Sequence, residues 1–64
     1  MPTFEEIKDC LLKIAEKSLP NFVEKLKNAK TINEVEKIFE EMMKQADNAT
    51  RSKLSACWNQ YRPS

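Results

Sequence analysis

Apolar residues along this chain recur at steps of three and four and do not alternate, so the pattern is helical and not that of strands. It is clearest over 31–46, where Ile32, Val35, Phe39, Met42 and Ala46 form one stripe that Ile38 and Met43 widen. Asn33, Glu36, Lys37, Glu40, Glu41 and Lys44 occupy the other side. Glu40 and Lys44 stand four apart with the acid first, the orientation that supports a helix. Thr31 and Glu34 have the spacing of a capping box, the hydroxyl taking an orphan backbone N–H and the carboxylate reaching back to the Thr31 N–H.

The same spacing, less complete, marks three further segments. Over 3–18 the stripe is Phe4, Ile7, Leu11 and Ile14, with Cys10 and Ala15 beside it and Leu12 off its line. Thr3 and Glu6 repeat the capping box there. Glu5, Glu6 and Asp9 precede Lys13 and Lys17, an order that suits the helix dipole. Pro20 disfavours helix at Leu19 and suits the first turn of a new one, so a second helix is expected over 20–29, with Phe22, Val23, Leu26 and Ala29 inward. A bend in one long helix is the competing reading. The short Asn28-Ala29-Lys30 link makes the second and third helices antiparallel neighbours. The stripe lapses at Asp47-Asn48-Ala49-Thr50, residues that favour turns and caps, and resumes over 49–61 with Leu54, Cys57, Trp58 and Tyr61. No proline forces that break, so a continuous helix competes with it; Pro63 stops the last segment. The fold expected is an all-α bundle of three or four short helices (3–18, 20–29, 31–46, 49–61) in a single domain, 1–64. Alternating directions set the first and last helices side by side and bring Cys10 near Cys57.

A domain of 64 residues buries too little surface to be stable by its core alone without effort. A metal is a poor remedy here, since the chain has no histidine and its two cysteines are far apart in sequence. A Cys10–Cys57 disulfide and association with a partner or a second copy are the other two. The chain has no glycine, which removes Gly-rich phosphate loops from consideration and disfavours tight β-hairpins. Net charge is +1, but residues 1–47 sum to −2 and residues 48–64 to +3. The N-terminal stretch lacks the apolar core of a signal peptide, and no apolar run is long enough to span a bilayer. The expected location is the cytoplasm, without a membrane. There both thiols stay reduced, and the Asn48-Ala49-Thr50 glycosylation sequon carries no meaning.

Candidate chemistry is sparse. Without histidine there is no ready general base near neutral pH, and Cys10 and Cys57 lack the usual partner of a thiolate nucleophile. Both sit on apolar stripes, where a thiol packs as a small hydrophobe. Carboxylate pairs such as Glu36 and Glu40 fall on a lysine-rich outer face. No catalytic, metal-binding or cofactor-binding residue is expected, and no cofactor. The best functional stretch is RSKLSACWNQYR, where Arg51, Lys53 and Arg62 interleave with Trp58 and Tyr61. Cations contact phosphates or acidic groups, and aromatics stack on bases or anchor an interface. Core packing is the competing role for Trp58. Met43 joins them as a partner-binding candidate, because adjacent Met42 and Met43 cannot both point at one core centre; a wide core-facing stripe is the alternative.

Residues 26–40, LKNAKTINEVEKIFE, resemble the helix-turn-helix segment of the Hha-type modulators of bacterial nucleoid proteins, which join two helices through a similar Thr-Ile-Asp/Asn link. The resemblance covers about a quarter of the chain and implies a small all-helical protein that binds an H-NS-type partner. This chain departs from that family in its additional N-terminal helix and its lack of a long third helix with acidic partner contacts. No functional residue carries over. The function expected is a non-catalytic regulatory or inhibitory adaptor that binds a protein through a helical face, along the seam between the third and fourth helices. The alternatives are a nucleic-acid-associated regulator, Hha-like or acting through the basic C-terminal helix, and a structural homo-oligomer.

Overall fold

A computed structural model of the chain describes residues 4–61, with side chains described through residue 60. Among the described residues there are four helices and no strand: α1 (Phe4–Ser18), α2 (Val23–Asn28), α3 (Ile32–Gln45) and α4 (Asn48–Tyr61). A single 3-10 turn, Pro20–Phe22, leads into α2. The all-α bundle is therefore the fold. The Thr3 cap expected for the first helix lies outside the described residues.

In α1 the fully buried line is Ile7, Leu11 and Ala15. Phe4, Cys10, Leu12 and Ile14 flank it, half-buried. The stripe expected through Ile14 is thus rotated by one position, with Ala15 in the core and Ile14 at its margin. The small Ala15 allows close packing where a larger side chain would hold the neighbouring helices apart. At Leu19 the chain leaves the helix with φ −139° and ψ 61°. The Leu19 carbonyl then accepts from the Phe22 N–H at 3.0 Å, closing the 3-10 turn that Pro20 begins. The chain turns here and does not bend through one long helix. Phe22, Leu26 and Ala29 go into the core from this segment, while Val23 is half-buried.

Thr31 caps α3 from an extended conformation, its hydroxyl accepting from the Glu34 N–H at 3.2 Å. The Glu34 carboxylate meets the same hydroxyl at 3.4 Å, so the box closes hydroxyl to carboxylate. Val35 and Met42 are the fully buried residues of α3. Met43 is half-buried, as adjacent methionines on one helix require. Ala46 is extended (φ −78°, ψ 149°), which separates α3 from α4. Asp47 starts α4: its side chain accepts from the Thr50 N–H and its carbonyl from the Arg51 N–H, both at 2.8 Å. The turn-forming residues at the lapse in the stripe therefore make a true break.

The packing of α1 against α4 is the most extensive in the domain, and α2 also lies on α1. The two helices run antiparallel, since Cys10 faces Cys57 while Lys13 and Lys17 face Lys53. A disulfide joins Cys10 to Cys57, with Cα atoms 5.9 Å apart. This corrects the expectation of two reduced thiols. That expectation followed from the cytoplasmic reading, whereas the antiparallel pairing of α1 and α4 puts both cysteines at one level on facing sides. The bond spans 47 residues of sequence, and restricting so long a loop in the unfolded chain is worth on the order of 4 kcal/mol in the chain-entropy account. It supplies the reinforcement that a core this small needs. No helix among the described residues is long and apolar enough to cross a membrane.

Candidate functional site

Of the six residues singled out from the sequence, the four whose side chains are described, Met43, Arg51, Lys53 and Trp58, lie in different settings. Trp58 is in the core, 9% exposed, and its ring stacks on Phe39 with centroids 4.8 Å apart and planes 12° from parallel. It joins α4 to α3 and presents little surface to a partner. Arg51 is exposed, but its Nε–H donates to the Met43 carbonyl at 2.9 Å. It thereby satisfies a carbonyl of the last turn of α3, where a cation also suits the helix dipole. The two residues line a shallow depression of 620 Å³ on the α3–α4 seam, with Asn48, Ser52, Ser55 and Asn59 on its α4 side. The depression is of mixed character, with Met43 and Ala56 as its apolar side chains beside the Arg51 cation and the neutral polar groups. Lys53 projects on the other flank of α4, toward α1. The Tyr61 side chain and Arg62 lie outside the described residues.

On that other flank the structure assembles a group that the sequence reading did not bring together. Lys13 and Lys17, one helical turn apart on α1, and Lys53 from α4 line one small hollow of 150 Å³ with Ile14 and Ser18. All three lysines are exposed, and none of the lining residues is acidic. Ile14 is half-buried and gives the hollow an apolar floor. The antiparallel α1–α4 contact creates this cluster, since Lys53 stands 36 residues or more from either α1 lysine in sequence. Toward the disulfide the same groove turns acidic: a neighbouring hollow is lined by Glu6, Asp9, Cys10, Lys13 and Ile14. The signal available in the sequence was the pair Lys13 and Lys17 at i, i+4 beside Ile14. It read only as charge favourable to the end of α1, because the partner cation is distant along the chain.

Asp47 is the one described group with a shifted acidity. The Thr50 backbone N–H, with the Thr50 hydroxyl second, holds its carboxyl below the ordinary 3.8, and Lys53 adds a smaller Coulombic attraction. This is the electrostatics of a helix cap. Both sulfur atoms of the chain's cysteines are consumed in the disulfide, so neither serves as a thiolate nucleophile. Among the described residues no group of three His, Cys, Asp or Glu side chains is placed to hold a metal ion, and no buried side-chain nitrogen or oxygen lacks a hydrogen-bond partner. What the site offers chemically is three ammonium groups around an apolar floor, an arrangement suited to holding carboxylates or phosphates.

No protein-family model matches the chain, and neither a curated protein nor a solved structure matches it. The likeness to the Hha-type segment rests on residues 26–40 alone.

Proposed function

We propose that this chain is a non-catalytic binding domain that works in an oxidising compartment and docks an acidic segment of a protein partner on its α1–α4 face. The observation that carries the reading is the convergence of Lys13, Lys17 and Lys53 on a hollow with no acidic lining and Ile14 at its floor. Charge at a rim steers encounter and selects partners, and a central apolar contact supplies burial. The disulfide favours the oxidising compartment, because such bonds persist outside the reducing cytosol. It also fixes the two helices whose side chains make the hollow. The partner class, a protein, is the one expected from the sequence; the surface moves from the α3–α4 seam to the opposite flank of α4. The regulatory or inhibitory outcome of docking belongs to the partner's identity.

The test is binding of a poly-glutamate peptide carrying one central leucine, measured by fluorescence anisotropy at low and physiological salt. Binding should weaken with added salt, and replacing Lys13, Lys17 and Lys53 together with glutamate should reduce affinity about tenfold or more, equivalent to at least about 1.4 kcal/mol. Equal binding by the wild type and the triple variant sinks the proposal. A preference for DNA or RNA of the same charge over the peptide favours the nucleic-acid reading, since the same cations suit phosphates.

A further inference from the structure

We infer that Asn48 is an N-glycosylation site and that its glycan covers the α3–α4 seam. Two independent observations meet there. Asn48-Ala49-Thr50 has the Asn-x-Thr pattern with no proline at the middle position. The Cys10–Cys57 disulfide, which owes nothing to that pattern, fits the oxidising compartment proposed above, and the eukaryotic secretory route is an oxidising compartment in which such sequons are used. The inference rests on the oxidising-compartment part of the proposed function and not on the identity of the docked partner.

The local structure accommodates the modification. Asn48 is exposed at the first position of α4. The capping work of this turn is done by Asp47, whose carboxylate takes the Thr50 N–H at 2.8 Å, so the Asn48 side chain can be extended without removing the cap. Thr50 is only 8% exposed in the folded domain, so the transferase has to read its hydroxyl in the nascent chain, before the helix packs. In the reaction the Asn48 amide nitrogen forms a bond to the anomeric carbon of a lipid-linked oligosaccharide pyrophosphate. The bond from that carbon to the pyrophosphate oxygen breaks, the lipid pyrophosphate leaves, and the amide loses one proton to a base of the transferase. The first sugar then stands at the depression that Asn48 shares with Met43, Arg51 and Ser52. A saccharide has both hydroxyls and apolar C–H faces, which suits a depression lined by Ser52, Ser55 and Asn59 as well as by Met43 and Ala56. Lys53 and the lysine hollow lie on the opposite flank of α4, clear of the glycan, so the modification leaves the proposed docking face open.

The test is the intact mass of the chain purified from the organism that makes it, under non-reducing conditions, before and after peptide-N-glycosidase F. The expected result is a mass above the 7.5 kDa polypeptide that falls on treatment, with Asn48 converted to aspartate in the peptide map. In a eukaryotic secretion host, Thr50→Ser should keep the glycan and Asn48→Gln should lose it. A disulfide-bonded chain at the bare polypeptide mass overturns the glycan while leaving the compartment reading intact. A chain with two free thiols overturns both, and a glycan that persists in Asn48→Gln overturns the assignment to this residue.

Discussion

The ammonium of Lys8 on α1 donates to the carbonyl of Ala29, just past the end of α2, at 2.9 Å. It also reaches the Lys27 carbonyl at 3.0 Å. The last carbonyls of a helix have no intrahelical partner, and a cation there also answers the negative end of the dipole. The same ammonium lies 5.5 Å from the Phe4 ring centre, a cation–π contact that adds to its hold on the end of α2. A helix of six residues has little stability of its own. Lys8→Met keeps the stem and deletes the donor. It should cost roughly 1–2 kcal/mol in chemical denaturation and speed amide exchange in α2 more than in α3.

The disulfide sets the largest single effect. Replacing Cys10 and Cys57 together with alanine should lower stability by about 2–5 kcal/mol. For a domain of this size each kcal/mol corresponds to a melting shift of roughly 4–8 °C. Thermal denaturation with and without reductant checks the same bond without mutation. Equal melting of the oxidised and reduced chain would show that the bond adds nothing.

The stack of Phe39 on Trp58 makes the only tryptophan of the chain a reporter of the α3–α4 joint. Phe39→Leu keeps much of the apolar volume and removes the ring. It should cost roughly 0.5–1.5 kcal/mol beyond the change in buried area and shift tryptophan emission toward the red. Trp58→Ala should cost about 3–5 kcal/mol, enough to leave so small a domain largely unfolded.

Acid sensitivity should trace to Asp47. Its folded acidity constant is depressed below the ordinary 3.8, first by the Thr50 N–H. As pH falls, the unfolded chain takes up this proton before the folded one does. The contribution of the charged cap is therefore present above pH 4 or so and is lost as pH drops through the folded value. Asp47→Ser keeps an acceptor for the Thr50 N–H but cannot titrate. Its stability should decline less than that of the wild type between about pH 5 and pH 2 in urea titrations at stepped pH.

The helices were legible because each carries its own punctuation. Thr31 with Glu34, Pro20 after Leu19, and Asp47 ahead of Thr50 mark starts that the structure uses. The apolar stripes also placed Cys10 and Cys57 on facing sides of neighbouring helices. Their oxidation was not legible, since spacing along a helix says where a thiol points and nothing about the compartment it meets. The rotation of the α1 stripe onto Ala15 was hidden because a small residue gives a weak periodic signal. The bond from Arg51 to the Met43 carbonyl was not legible, because that carbonyl is eight residues back across a turn. Lys8 was likewise silent in the sequence: a lysine within an apolar stripe becomes informative only when the end of another helix is seen to meet it.

The most direct measurement of the functional account is a residue-resolved map of acidic-ligand binding. A uniformly ¹⁵N-labelled, oxidised chain is titrated with the leucine-centred poly-glutamate peptide at low salt and followed by amide chemical shifts. The largest shifts should fall at Lys13, Ile14, Lys17, Ser18 and Lys53, and should fade as salt is added. Shifts centred on Met43, Arg51 and Ser55, or none at low salt, would contradict the functional account.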